Sequence, residues 1–358
     1  MYSTDKRWKQ LGALLVNYSA EVKRGERVMI AMLELESFPL VHAVYEAAIK
    51  VGAFPQVQFL SEMLRHSVLR YGNDEQLRWV PEIEAHGMEW ADVYFGLRGA
   101  HNLHEHWDIP AWRLSLNQAA LGKVSSLRWE KTRWCLVRVP NPDLAQQAET
   151  DLETITDMFF NACLIDWKEE SAKWRRWAER LSQASEIRLV GQDTDLSFSV
   201  EGRKWMVADG KRNMPDGEIA TSPVTETIDG QIFFEFPGVL GGRLLHGIRL
   251  RWKQGRLAEA RASTHQDFLD AILNTDAGAS LIGEFGIGTN PSLTRFCKDI
   301  LIDEKIGGTV HVALGRAYPE CGGTNKSALH WDIIKDIRQQ GAVYVDGQPV
   351  LQNGAFLM

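Results

Sequence analysis

The sequence predicts an α/β N-terminal domain followed by an α+β C-terminal domain with a mixed or antiparallel sheet. Strand-like and helical segments alternate through the first half, the pattern of a parallel sheet wrapped by helices. Short strand-like runs separated by Gly, Asp and Asn turns crowd the second half, which favours antiparallel pairing. The chain has 358 residues, long for one domain, so two are expected. Residues 1–182 form the expected N-terminal domain with its linking helix, and residues 183–358 the expected C-terminal domain.

In the first half, Trp8, Leu11, Leu14, Leu15, Tyr18 and Val22 recur at helical spacing and predict an opening amphipathic helix. Arg27 to Leu33 reads as an apolar strand, and Pro39 to Lys50 as a helix ended at Gly52, where a C-terminal cap would sit. Gln56 to Leu60 is a second strand, Asn73 to Ala85 a helix, Asp92 to Gly96 a third strand and Trp134 to Val139 a fourth. Trp167 to Leu181 is a strong helix with Asp166 and Glu169 at capping-box spacing, and it is the expected elbow between domains. Beyond it, Ile187 to Val190, Leu196 to Val200, Ile232 to Phe236, Leu245 to Trp252, Thr309 to Leu314 and Leu329 to Ile334 read as strands.

Composition narrows the function. With 44% hydrophobic and 24% charged residues, the chain can bury a large core. A formal net charge of -7 with no compensating Lys/Arg block argues against a nucleic-acid partner. No apolar run reaches the roughly 20 residues of a membrane span. Cys135, Cys163, Cys297 and Cys321 have no C-x-x-C spacing and read as free thiols. A cytoplasmic protein is expected. The 13 tryptophans scatter from Trp8 to Trp331, so packing rather than a stacking platform explains them.

The C-terminal third gathers metal-ligating residue types. Asp303-Glu304-Lys305-Ile306-Gly307-Gly308-Thr309-Val310-His311 is followed by Tyr318, Gly322-Gly323-Thr324-Asn325 and His330-Trp331-Asp332. Upstream stand Glu218, in Asp216-Gly217-Glu218-Ile219, and Glu284, in Gly283-Glu284-Phe285-Gly286. On a strand, His330 and Asp332 share one face and Trp331 takes the other. Two imidazoles and several carboxylates exceed the needs of one ion and suit two. Mixed His/carboxylate ligation favours zinc, cobalt, manganese or ferrous iron. A paired-metal site would ionise a water near neutral pH, which points to a hydrolase acting on an amide. Tyr318 is then a candidate oxyanion donor.

The run from Asn213 to Pro223, Gly283-Glu284-Phe285-Gly286, Glu304 through Gly315, Tyr318 and Ser327 to Asp332 resembles the aminopeptidase T and aminopeptidase S metallopeptidases in motif order and residue type. The resemblance is specific over roughly residues 205 to 335. It implies a dinuclear metal site, release of an N-terminal amino acid from a peptide or small amide, and a homodimer. It puts Glu218, Glu284, His311, His330 and Asp332 on metal-ligand positions, Glu304 near another, and Tyr318 on an active-site tyrosine. Glu284 is the expected bridge and proton shuttle. The segment from His311 to His330 is shorter than the family pattern.

The alternative is a mononuclear ferrous ring-cleaving dioxygenase of the 2,5-dihydroxypyridine type, to which the His-x-Asp pair is also similar. That enzyme has a histidine at the position of Glu284 and no equivalent of His311. A metal-stabilised scaffold without activity is a second alternative. Three other features carry less. His101, His104, Glu105 and His106 lack the H-E-x-x-H spacing and read as a polar loop. Gly283-x-x-Gly286-x-Gly288 lacks a phosphate-loop order and the Walker lysine. No glycine fingerprint follows the first strand, which excludes a dinucleotide site there.

Overall fold

The computed structural model describes residues 5–99, 102–127 and 131–357. The chain divides into two compact units: Met1–Leu164 with Gly210–Pro215, and Ile165–Asp209 with Asp216–Met358.

The first unit is built on a parallel sheet ordered Phe54–Leu60, Arg27–Leu33, Val93–Gly99, Arg133–Val139 and Asn213–Met214. Five consecutive residues of Arg27–Leu33 are buried, as a parallel strand covered on both faces requires. Met29, Ala31, Met88, Tyr94, Val124 and Leu136 form one of its core clusters.

Three local details differ from the sequence reading. The opening helix Arg7–Leu14 widens into a π-turn over Leu15–Ser19. The expected helix from Asn73 to Ala85 is two helices, Asp74–Arg78 and Glu82–Trp90. Pro81 stands at the N-cap of the second, and its ring disfavours helical backbone at the residue before it. The expected strand from Leu245 to Trp252 is also two, Arg243–Leu245 and Arg249–Lys253. Gly247 turns the chain between them at φ +63, where an added Cβ would lie 2.2 Å from Ser263 Oγ.

The second unit opens with Trp167–Leu181, capped by Asp166, whose side chain accepts the N–H groups of Lys168 and Glu169. This helix packs inside the unit. Trp174 lies over Gly217, Ser171 donates to Asp209, and Trp177 stacks on Phe356. Eight strands form a fully antiparallel sheet whose centre is Thr194–Ser199, Glu186–Gly191 and Gly341–Val345. A second antiparallel sheet has the order His330–Lys335, Val310–Gly315, Ile282–Gly288, Glu218–Thr221, Met206–Ala208. The candidate chemistry lies on this second sheet. Cys135, Cys163, Cys297 and Cys321 are all buried, and none forms a disulfide.

Candidate metal centre

Strand alternation sorts the second sheet into two unlike faces. On one side Phe285, Ile287, Val312, Leu314, Trp331 and Ile333 are buried as ordinary core. Trp331 is anchored there, its indole N–H donating to the Val239 carbonyl. On the other side stand Glu284, His311, His330, Asp332 and Glu218. Register lines them up: Glu284 pairs with Ala313, which pairs with Asp332. His311 pairs with Gly286, His330 with Gly315, and Glu218 with Gly288.

Gly286, among these side chains, is small for a steric reason. The His311 ring lies directly over Gly286, where a Cβ would come within 2.1 Å of Cε1 and Nε2. Only glycine leaves that space.

Two groups of three side chains bring ligand atoms within 4.8 Å of one another: Glu218, Glu284 and His311; and Glu284, His330 and Asp332. Glu284 belongs to both. Its Oε1 lies 3.6 Å from His311 Nε2 and its Oε2 lies 3.3 Å from His330 Nε2. His330 Nε2 is also 3.4 Å from Asp332 Oδ2. On its other nitrogen, His330 Nδ1–H donates to the Arg316 carbonyl at 2.9 Å. That bond fixes the tautomer and aims Nε2 into the site, the usual support of a metal-binding histidine.

The donor set fits divalent metal. Among the described residues, neither ring nitrogen of the fully buried His311 nor Asp332 Oδ1 has a hydrogen-bond partner. Buried polar atoms are seldom left so. The electrostatics make the same demand for positive charge. Burial would lower the pKa of the His311 imidazole, but Glu284 and Glu218 outweigh it and hold it at about 10. Burial opposes the charge on His330 too, and Glu284 with Asp332 raises it to about 9. Burial raises Glu284, yet the two imidazoles hold it at about 2. Burial pushes Asp332 up to about 6, and burial with the Glu304 charge pushes Glu218 well up. Protons on imidazole occupy the role that cations would take, since metal ligation needs both rings neutral.

Tyr318 places its hydroxyl 3.4 Å from His330 Nε2. Burial and the surrounding carboxylates push its pKa far up, so it remains a donor. Glu304 follows the short helix Ile300–Asp303 and its Oε1 contacts the Lys305 ammonium. It joins neither three-residue group among the described residues.

Lys305 itself is the residue that sequence reasoning passed over. It is fully buried, with Nζ 3.8 Å from Glu218 Oε2. A lysine between a glutamate and an apolar Ile-Gly-Gly run was the available signal. Of the other histidine cluster, His101 lies outside the described residues. His106 bonds Glu62 at 2.8 Å, and His66 rather than His104 is its ring neighbour, with centroids 5.6 Å apart.

The sequence matches the thermophilic metalloprotease family (M29) over residues 4–356. Aminopeptidase T of Thermus thermophilus is 25% identical over an alignment covering 98% of both chains. The solved structure of wild-type AmpT from Thermus thermophilus superposes with a TM-score of 0.88 at 22% identity, covering 99% of this chain and 100% of that one. The 2,5-dihydroxypyridine dioxygenase of Pseudomonas putida KT2440 shares the fold at a TM-score of 0.60 and 15% identity, over 98% of this chain and 96% of that one.

Proposed function

The chain belongs to the thermophilic metalloprotease family (M29), and on that premise we propose that it is a metalloaminopeptidase working through two divalent ions. The supporting observation is Glu284, one carboxylate shared between two three-ligand groups. In this reading Glu218, Glu284 and His311 hold one ion, and Glu284, His330 and Asp332 the other. Glu304, expected near a further ligand position, contacts Lys305, which also faces Glu218. Zinc, cobalt and manganese suit these donors. When bound, such ions supply Lewis acidity and lower the pKa of a water molecule.

The protein groups supply the rest. Glu284, central to both groups, carries the proton from the attacking water to the leaving amine. Tyr318, kept protonated by its buried setting, donates its hydroxyl to the oxyanion as the amide carbon becomes tetrahedral. A site carboxylate holds the free α-amine of the substrate, which confines cleavage to the N-terminal residue. A cytoplasmic homodimer is proposed with it, on the family resemblance. Among the described residues no helix is long and apolar enough to cross a membrane.

Elemental analysis of the purified chain, paired with assays on aminoacyl amides and peptides before and after chelation, tests this reading. The expected result is about two zinc, cobalt or manganese ions per chain, a number that follows from a shared-carboxylate site. Activity should vanish with the metal and return on its addition, while the circular dichroism spectrum stays native. A single iron with O₂ uptake on a hydroxylated aromatic would overturn it in favour of the dioxygenase.

A further inference from the structure

Lys305 has no task in the mechanism above, and its position is costly. A buried ammonium survives only where opposite charge and hydrogen bonds surround it. Burial opposes its charge, but Glu304, Glu218 and Asp216 outweigh that and raise its pKa above the ordinary lysine range. The backbone on either side is pinned. Lys305 N–H donates to the Ile302 carbonyl, its own carbonyl accepts from Asn290 N–H, and Ile306 bridges to Asn290. The ammonium is therefore a fixed feature of the site and not a mobile surface charge.

Its placement is one-sided. Lys305 meets Glu218 and Glu304, and Glu218 belongs to only one ligand group. Among the described residues, Glu284 and Asp332 have only histidines within ion-pair distance. Each group offers three side chains and shares Glu284, so ligand number does not distinguish them. The resident positive charge does. It draws on the Glu218 carboxylate and repels a divalent ion bound there.

We propose that Lys305 is a built-in counter-cation that makes the two metal positions unequal. The position at Glu218, Glu284 and His311 binds its ion more weakly and exchanges it, while Glu284, His330 and Asp332 hold theirs tightly. When the weaker position empties, the ammonium keeps Glu218 and Glu304 in place. The inference rests on the two-ion reading above.

Zinc titration of the metal-stripped full-length chain, against a competing chelator and with elemental analysis at saturation, tests it. The wild type should take up two ions in steps at least about tenfold apart in Kd, because a buried unit charge acts at low effective dielectric. Glu218→Gln should lose the weaker step and keep the tighter one. Lys305→Met should tighten the weaker step by about tenfold or more and lower the melting temperature of the metal-free chain. Two equal steps in the wild type, loss of the tighter step in Glu218→Gln, or an unchanged gap in a folded Lys305→Met would each overturn the proposal. Should Lys305→Met fail to fold, the first two titrations still decide. Uptake of one ion at saturation is a different result, which removes the two-ion reading itself.

Discussion

The parallel sheet of the first unit and the Glu284 sheet of the second have the same number of strands and equally buried centres, yet among the described residues only the second carries groups that could hold a metal. Arg27–Leu33 buries Val28, Met29, Ile30, Ala31 and Met32, and no ionisable side chain lies among them. Ile282–Gly288 is buried at every residue and includes a carboxylate. The difference lies in what surrounds the strand. In the inner strands of the parallel sheet, buried residues follow one another without alternation. In the second sheet one face is filled in the same way, while the other sets Gly286, Ala313 and Ala220 among Glu284, His311, Asp332 and Glu218. Burial by itself marks a core. Buried charge gathered beside small residues, with polar atoms left unsatisfied, marks a site.

The sharpest way to break this comparison is to neutralise the shared carboxylate. Glu284→Gln leaves the strand's shape intact and removes charge from both ligand groups at once. We expect kcat/KM to fall by at least about a thousandfold, the scale of losing several kcal/mol of Lewis-acid stabilisation. Metal content should fall with it while the fold, read by circular dichroism, is retained. A variant that keeps most of its activity would remove Glu284 from the mechanism.

Adding volume to the charged face is the next largest intervention. Gly286→Ala puts a methyl group 2.1 Å from the His311 ring, and His311, closely packed beneath it, must move. We expect about a hundredfold loss in kcat, the scale of misplacing a site group by an ångström, and less than the wild-type metal per chain. Full metal loading in this variant would show that His311 is not a ligand. Tyr318→Phe should do less, lowering kcat by about ten- to a hundredfold with little change in KM, since the hydroxyl acts in the transition state. An unchanged kcat would make it a bystander.

The same comparison explains what could be read in the sequence. His330-Trp331-Asp332 is legible because a strand's two-residue period assigns its faces with no tertiary knowledge, and the structure places those faces as the period requires. The parallel sheet was legible because its strands are locally apolar and locally bounded. Trp167–Leu181 was legible from its cap. Breaks that depend on one residue were not. Pro81 divides a helix, and Gly247 divides a strand at a turn where Ser263, on a distant segment, leaves no room for a Cβ. Lys305 was hidden for a stronger reason. Nothing nearby in sequence accounts for Glu218 as its partner, because the two meet only when separate elements pack. Glu304 illustrates the same limit: its residue type suits a metal, and only the packed structure shows Lys305 beside both it and Glu218.

A glycine in the first unit supplies the control for Gly286. Gly122 lies exposed inside the helix Ala111–Ser126, and an added Cβ there would meet nothing within 4 Å. In a helix interior, glycine costs backbone entropy that alanine does not, so Gly122→Ala should stabilise by about 0.5–1 kcal/mol. For a unit of this size that is a rise of roughly 1–4 °C in the melting transition, read by calorimetry. Catalysis and metal content should be unchanged, because Gly122 belongs to the first unit and the proposed ligands to the second. The two glycines thus predict opposite outcomes from the same methyl group: one occupies space that His311 needs, the other only gives the unfolded chain freedom to lose. A lower melting temperature for Gly122→Ala would show that this helix needs glycine for a reason other than space, and the contrast with Gly286 would then no longer isolate the crowding of His311 as the cause.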